Sequence, residues 1–487
     1  MRLDEYVWSR NPRGLHSIGA FIRPDIQRYT SLQLGWAKLV SENVEHIEIC
    51  TNLLAANITP IVRVYLTPGQ NAEPLPPQAF SQIATYAALG VKWFELYNEP
   101  NLPVEWPGGT NVDYRNTPLL NMLVDRWMPW AEYVASLGCY PGFISLAETD
   151  SPPLATVYWI DTMFGYISSA YYQRFTSLLA NGMWYATHPY VLNHFYQEVP
   201  GGGPLSARPN DGLNPQEPGW HFEYPYDPIC QSTDPGRTVY GGTPQTPNGD
   251  PVGLIATGQF LNERSSAIFG TQAVPVVGTE GGIDLPQAGE TIQRDNRYPG
   301  VTLLSNGEGT VAMFDWCATS APPWFFGSCI WKEDEYYNRG GYAIDRLQRY
   351  APILKTVPPI DVIGGGTYTI QPFIPPAGPG PIHGEPTYHM VILAPGLDPG
   401  WFFDTAFAYW SAFRPIVTTL TDFVNYIPYA YSLATTVIAT PDTADLLRQA
   451  ISAPYPNILF DLIVAEGSID SVAQVLNDRV ARSAPFG

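Results

Sequence analysis

Val91-Lys92-Trp93-Phe94-Glu95-Leu96-Tyr97-Asn98-Glu99-Pro100-Asn101 is the stretch whose reading decides the fold of this chain. Val91 to Leu96 is apolar and aromatic with one charge at each parity, the pattern of a buried strand. Pro100 has no N–H to give to a ladder, so the strand ends before it. Glu99 then stands at the carboxyl end of a parallel strand, where barrel enzymes carry their chemistry. A carboxylate beside a side-chain amide suits proton donation. The same Asn and Pro also suit an Asx-type turn that merely closes a strand. A second carboxylate at another strand end separates these readings.

From Gly14 to Arg349, short apolar runs alternate with helical patterns, the signature of βα units. The expected strands are Leu15–Ala20, Trp36–Val40, Thr59–Leu66, Val91–Leu96, Phe143–Ala147, Trp184–Tyr190, Ala273–Gly278 and Trp324–Trp331. The expected helices are Asp25–Leu32, Val44–Ala56, Pro77–Leu89, Pro118–Leu137, Val157–Asn181, Gly258–Gly270 and Gly309–Ser320, with Asp345–Leu354 closing the ring. Eight such units predict a (β/α)8 TIM barrel rather than an open doubly wound sheet. After strand six, from Phe195 to Val252, the chain is crowded with Gly, Pro, Asn and Asp. Loops this long are usually functional or mobile. Either Trp220, His221, Tyr224 and Tyr226 offer rings to a substrate, or the loop is an Ω-like insertion packed on its own aromatics.

Beyond Lys355 the character changes. The expected organisation is a catalytic barrel over 1–355, a Pro- and Gly-rich linker over 356–386, and a small α/β module over 387–487. Module strands are predicted at Thr387–Pro395, Leu433–Thr440 and Ile458–Ala465. Its helices are predicted at Trp401–Phe413, Thr443–Ser452 and Ile469–Arg482, with Asp442 capping the second and Ser468 or Asp470 the third.

Composition narrows the function. At 487 residues the chain exceeds one ordinary domain, and 45% hydrophobic against 14% charged residues describes a packed globular protein. A net charge of −20 disfavours nucleic acid and anionic membrane as partners. The 14 Trp and 30 Tyr suit either sugar stacking or a large barrel core. Cys50, Cys139, Cys230, Cys317 and Cys329 show no metal or disulfide spacing, and all but Cys230 sit in apolar contexts. The start lacks the pattern of a secretory signal, which leaves localisation open, and no apolar run reaches the length of a membrane span.

The second carboxylate is present. Val274-Pro275-Val276-Val277-Gly278-Thr279-Glu280-Gly281-Gly282 is a strand-like run that puts Glu280 at its carboxyl end, three βα units after Glu99. Strands four and seven lie nearly opposite in an eight-stranded ring, so the two carboxylates face one another. Retaining glycosidases hold such a pair about 5–5.5 Å apart, one as nucleophile and one as acid/base. The glycines after Glu280 leave room for a sugar.

Tyr97-Asn98-Glu99-Pro100 and Thr279-Glu280-Gly281 resemble the clan-A retaining glycoside hydrolases, the superfamily of cellulases, mannanases, β-xylosidases and β-galactosidases. The resemblance covers about Leu15 to Leu354 and stays at clan level. The strand-four stretch is similar to the xylosidase-like branch, while Thr279-Glu280-Gly281-Gly282 is similar to the cellulase-like one. It implies Glu99 as acid/base, Glu280 as nucleophile and Asn98 as holder of the sugar 2-hydroxyl. It further implies Arg63 as the partner of the nucleophile, His188 and Tyr190 as the family's His-x-Tyr pair with Tyr190 on Glu280, and Trp331 as the floor of the cleavage subsite. Arg63 near Glu280 would keep that carboxylate ionised, whereas Glu99 should stay protonated near neutral pH until it acts.

Single positions have plainer readings: Arg63 as an interior partner of Glu95, His188 as a core histidine, Trp331 as core. Together, these positions in the clan's order favour a β-glycoside hydrolase acting on an oligo- or polysaccharide without metal or organic cofactor. A non-catalytic carbohydrate-binding barrel is the rival from another class. A transglycosylase would use the same residues.

Overall fold

The computed structural model describes residues 1–19, 22–200, 206–364, 386–427, 432–452, 455, 458–466 and 469–487. They divide into two compact units, Met1–Pro235 with Asp250–Pro372, and Gly236–Gly249 with Phe373–Gly487.

The first unit is a (β/α)8 barrel. Its strands are β1 (Arg13–His16), β2 (Trp36–Ser41), β3 (Thr59–Val64), β4 (Trp93–Leu96), β5 (Tyr140–Phe143), β6 (Trp184–Thr187), β7 (Val276–Gly278) and β8 (Phe325–Ile330). All pair in parallel in chain order, and Arg13 opposite Ser328 closes the ring. Between strands the chain turns through amphipathic helices such as Gln78–Ala88, which buries Ala79, Gln82, Ile83 and Tyr86.

Among the barrel strands the clearest displacement from expectation is β5, predicted at Phe143–Ala147 and found at Tyr140–Phe143. Pro141 and Gly142 argue against a central strand from sequence. Here Gly142 is needed, because a Cβ would lie 2.8 Å from the Trp184 ring. The first strand likewise begins earlier than predicted, and its expected end, Ala20, lies outside the described residues. The helix expected over Val157–Asn181 breaks into Thr156–Ala170 and Tyr172–Ala180, and the ring closes through Gly341–Arg349.

The aromatic content goes largely into the core. Trp36, Trp93, Trp127, Trp130, Trp159, Trp184 and Trp324 are all fully buried. Trp93 is the hub of a plug at the amino-terminal end, with Trp36 at 5.0 Å and Trp184 at 5.2 Å. Tyr6 joins from before β1, its hydroxyl donating to the Met183 carbonyl at 2.8 Å. Residues 356–364, expected in the linker, are held within the barrel unit: Leu3 N–H donates to Ile360 O, and Gln272 N–H to Val362 O. The rest of that stretch, 365–385, lies outside the described residues.

The loop after β6 has its own small core of Tyr196, Tyr224, Ile229, Cys230 and Tyr298. Its rings are engaged within the fold. Trp220 stacks on Phe222 at 5.7 Å, His221 lies against Tyr196 at 4.6 Å between Glu198 and Glu223, and Tyr224 stacks on His194 at 3.7 Å.

The second unit contains a parallel sheet of β9 (Tyr388–Leu393), β10 (Ile416–Thr418), β11 (Leu433–Ala439) and β12 (Leu459–Val464), in the order β10-β9-β11-β12. Alternate residues feed two cores. Met390, Ile392 and Val437 pack with Leu447 and Ile451 on one face; Val391, Leu393 and Ile438 pack with Phe402, Tyr409 and Leu476 on the other. The predicted helix Trp401–Phe413 is two, Pro399–Thr405 and Phe407–Phe413. The short β10, absent from the sequence reading, follows them. Thr443 rather than Asp442 is the N-cap residue of Ala444–Ile451; Asp470 begins the last helix, and Ser468 lies outside the described residues. No described helix is long and apolar enough to cross a membrane.

Candidate active site

Inside the barrel, above the aromatic plug, Lys38 of β2 and Glu95 of β4 form a fully buried ion pair. Glu95 also accepts from Ser145 at 2.8 Å and from Thr279 at 3.4 Å. Burial brings the Lys38 ammonium down to about 8. The same burial would raise Glu95, but the charges of Lys38 and Arg63 outweigh it and hold the carboxyl low. Glu95 thus takes Lys38, and Arg63 is left for the mouth.

At the carboxyl end of β4 the backbone leaves the pleat. Tyr97 and Glu99 have φ of 70° and 39°, left-handed values that side chains adopt at a cost of about 1–3 kcal/mol each. The Glu99 N–H is secured by Ser145 O at 3.1 Å. Beyond β6 and β7 the chain forms a short parallel pair, Tyr190–Leu192 with Gly282–Ile283, which carries the two strands past the rim. Gly281 permits it: at φ 138°, a Cβ there would sit 2.3 Å from Pro189 O.

This framework gathers the expected residues. One ligand-type atom each of Glu99, His188 and Glu280 lies within 4.8 Å of the others. His188 Nδ1 donates to Glu99 Oε1 at 2.7 Å and is 4.0 Å from Glu280 Oε2. The Tyr190 hydroxyl donates to Glu280 Oε1 at 2.6 Å. Trp331 directly follows β8, lies 4.5 Å from the His16 ring, and lines a cavity of about 400 Å³ with Tyr190, Gly281 and Gly282. Asn98 and Arg63 border a second cavity, of about 220 Å³, on the β3–β4 side.

Two expectations change. Arg63 donates to Asn98 Oδ1, and no Arg63–Glu280 ion pair occurs among the described residues. The guanidinium is taken by the amide next to Glu99. Glu99 was expected to be held protonated, yet its carboxyl lies below the ordinary value. Burial raises it, but the hydrogen bond and charge of His188, with Arg63 behind, prevail. Burial also disfavours a charged His188, and there Glu280, Glu99 and Glu95 win and raise it. The two shifts run in the same sense, each group favouring its charged form beside the other. His16, 4.0 Å from Glu280, is driven far down by burial and by Lys38 and Arg63, and stays neutral.

The sequence reading missed two further carboxylates. Glu148, after β5, accepts the Tyr190 N–H at 3.1 Å, and burial raises it well above its ordinary value. Glu105, on the turn Pro103–Glu105, accepts from Asn98 Nδ2 at 2.8 Å. The signal for Glu148 was its place just beyond the fifth strand; Glu105 sits in a loop and gave none. Glu99, His188 and Glu280 are also the described residues grouped closely enough to hold a metal ion.

No protein-family model matches the chain, and no curated protein does. Among solved structures it is similar to a family 1 β-glucosidase from Thermotoga maritima, at 12% identity and a TM-score of 0.30, over 63% of this chain and 76% of that one. It is also similar to a probable 2-pyrone-4,6-dicarboxylic acid hydrolase from Acinetobacter baumannii with citric acid bound, at 14% identity and a TM-score of 0.18, over 36% of this chain and 68% of that one. Likenesses this slight carry no argument about chemistry. The fold rests on the closed strand order.

Proposed function

We propose that this chain is a retaining glycoside hydrolase cleaving β-glycosidic bonds, with Glu280 as nucleophile and Glu99 as acid/base. The observation that carries the reading is the approach of Glu99 and Glu280 across the barrel mouth, with one atom of each inside a 4.8 Å group. That approach suits the closer spacing of retaining enzymes, in which one carboxylate attacks the anomeric carbon directly. Tyr190 orients Glu280. Its second oxygen, Oε2, lies 4.0 Å from a ring nitrogen of His16 and 4.0 Å from His188 Nδ1.

The departing oxygen takes its proton from the His188–Glu99 pair, through Glu99. Once Glu280 becomes an ester its charge is gone. The pair has by then lost its proton to the departing oxygen, and Glu99 takes the next one from the water that attacks the ester. A wild-type chain should turn over at least one aryl β-glycoside with retained anomeric configuration, read by proton NMR. Glu280→Ala should reduce that turnover by roughly 10⁴-fold or more. Inverted product, or turnover unaffected by Glu280→Ala, overturns the proposal.

The Glu99–His188–Glu280 grouping favours a second reading, a metal-assisted hydrolase. The existing His188–Glu99 hydrogen bond weighs against it, since Nδ1 is already engaged. Turnover that is lost to a chelator and restored by zinc would select this second reading.

A further inference from the structure

The cavity on the β3–β4 side contains more than the two expected residues. Asn98 is held at both ends of its amide, with Oδ1 accepting from Arg63 and Nδ2 donating to Glu105. Arg63 is 8% exposed and lines this cavity, as do Tyr65, Tyr97 and Glu105. Glu105 is itself braced: its backbone carbonyl accepts from Asn71 Nδ2 at 2.6 Å, and the Asn71 carbonyl accepts from Arg126 at 2.9 Å. The second carboxylate oxygen of Glu105 has no hydrogen-bond partner among the described residues, and neither has the second Asn98 amide hydrogen. A hydroxyl, which donates one hydrogen bond and accepts others, matches an acceptor and a donor set side by side.

We propose that Glu105 is a substrate-binding residue: it accepts a hydrogen bond from one hydroxyl of a neutral sugar ring seated in this cavity, while fixing the Asn98 amide that donates to the same ring. The inference rests on the sugar-processing reading above and assigns part of its specificity to a loop carboxylate. Burial, with Glu99 and Glu280 nearby, raises the Glu105 carboxyl, so the site favours a hydroxyl over an anionic group at this position. Uronic acids and sugar phosphates are therefore disfavoured here.

Binding tests this apart from turnover. In a Glu280→Gln background, xylobiose, cellobiose and mannobiose are titrated calorimetrically, followed by monodeoxy forms of whichever binds best. Glu105→Ala should weaken that disaccharide about ten- to hundredfold, with Glu105→Gln intermediate. One monodeoxy form should lose a similar factor against intact Glu105 and nothing further against Glu105→Ala, a non-additivity that a merely structural role would not produce. Unchanged melting temperatures establish that the variants fold. Equal affinity with and without Glu105, additive deoxy losses, or no neutral disaccharide bound would overturn the proposal. Wild-type turnover of aryl glycosides, measured in parallel, decides the hydrolase reading separately.

Discussion

Glu95 and Glu99 stand four residues apart, on and just beyond β4, and they have opposite fates. Glu95 is sealed in the barrel with Lys38, Ser145 and Thr279 all donating to it. The Glu99 carboxylate takes one hydrogen bond among the described residues, from His188, and faces Glu280 across the mouth. A buried carboxylate whose acceptors are all used is architecture. One left under-satisfied beside a second acid and a cavity is poised for chemistry.

The contrast is broken most forcefully at the floor. Glu95→Ala strands the Lys38 ammonium without its partner and should lower the free energy of unfolding by about 3–5 kcal/mol in urea titration. Glu99→Gln should change it by less than about 1 kcal/mol. Equal losses at the two positions would erase the distinction. A middle-sized effect is expected at the mouth. Tyr190→Phe removes the hydroxyl that orients Glu280 and should cost roughly ten- to hundredfold in kcat/KM at an unchanged melting temperature.

The smallest effect is in pH dependence. His188 is raised above its ordinary 6.5, so its contribution to stability is complete below that pH and is lost as pH rises through the folded value. Glu99 is depressed below its ordinary 4.5, so its contribution is present above that pH and lost as pH falls through the folded value. The difference in melting temperature between wild type and His188→Gln should therefore be widest between pH 4.5 and 6.5. A difference that does not vary with pH would show that His188 carries no proton for Glu99.

Much of this was legible in the sequence because strand ends announce themselves. Pro100 stops β4 and the glycine pair follows β7, and these fix Glu99 and Glu280 without knowledge of the helices. His188 and Tyr190 were named through the clan resemblance, as its His-x-Tyr pair at the end of the sixth strand. What escaped depends on contacts between distant segments. Arg63 goes to Asn98 because Lys38, two strand positions earlier in register on the neighbouring strand, has already claimed Glu95. The Glu99 carboxyl is held low against burial chiefly by a histidine 89 residues away. Glu105 follows no strand periodicity, and β5 was misplaced because Pro141 and Gly142 look like loop until Trp184 is packed against them.

The left-handed backbone at Tyr97 and Glu99 has a consequence for anyone engineering this chain. Conformational tension is concentrated in the segment that carries the proposed acid/base, so replacements that relax it are a route to heat resistance. They will also turn the carboxylate away from its partner. Selection for thermostability and selection for rate therefore pull in opposite directions on the same three residues, 97–99.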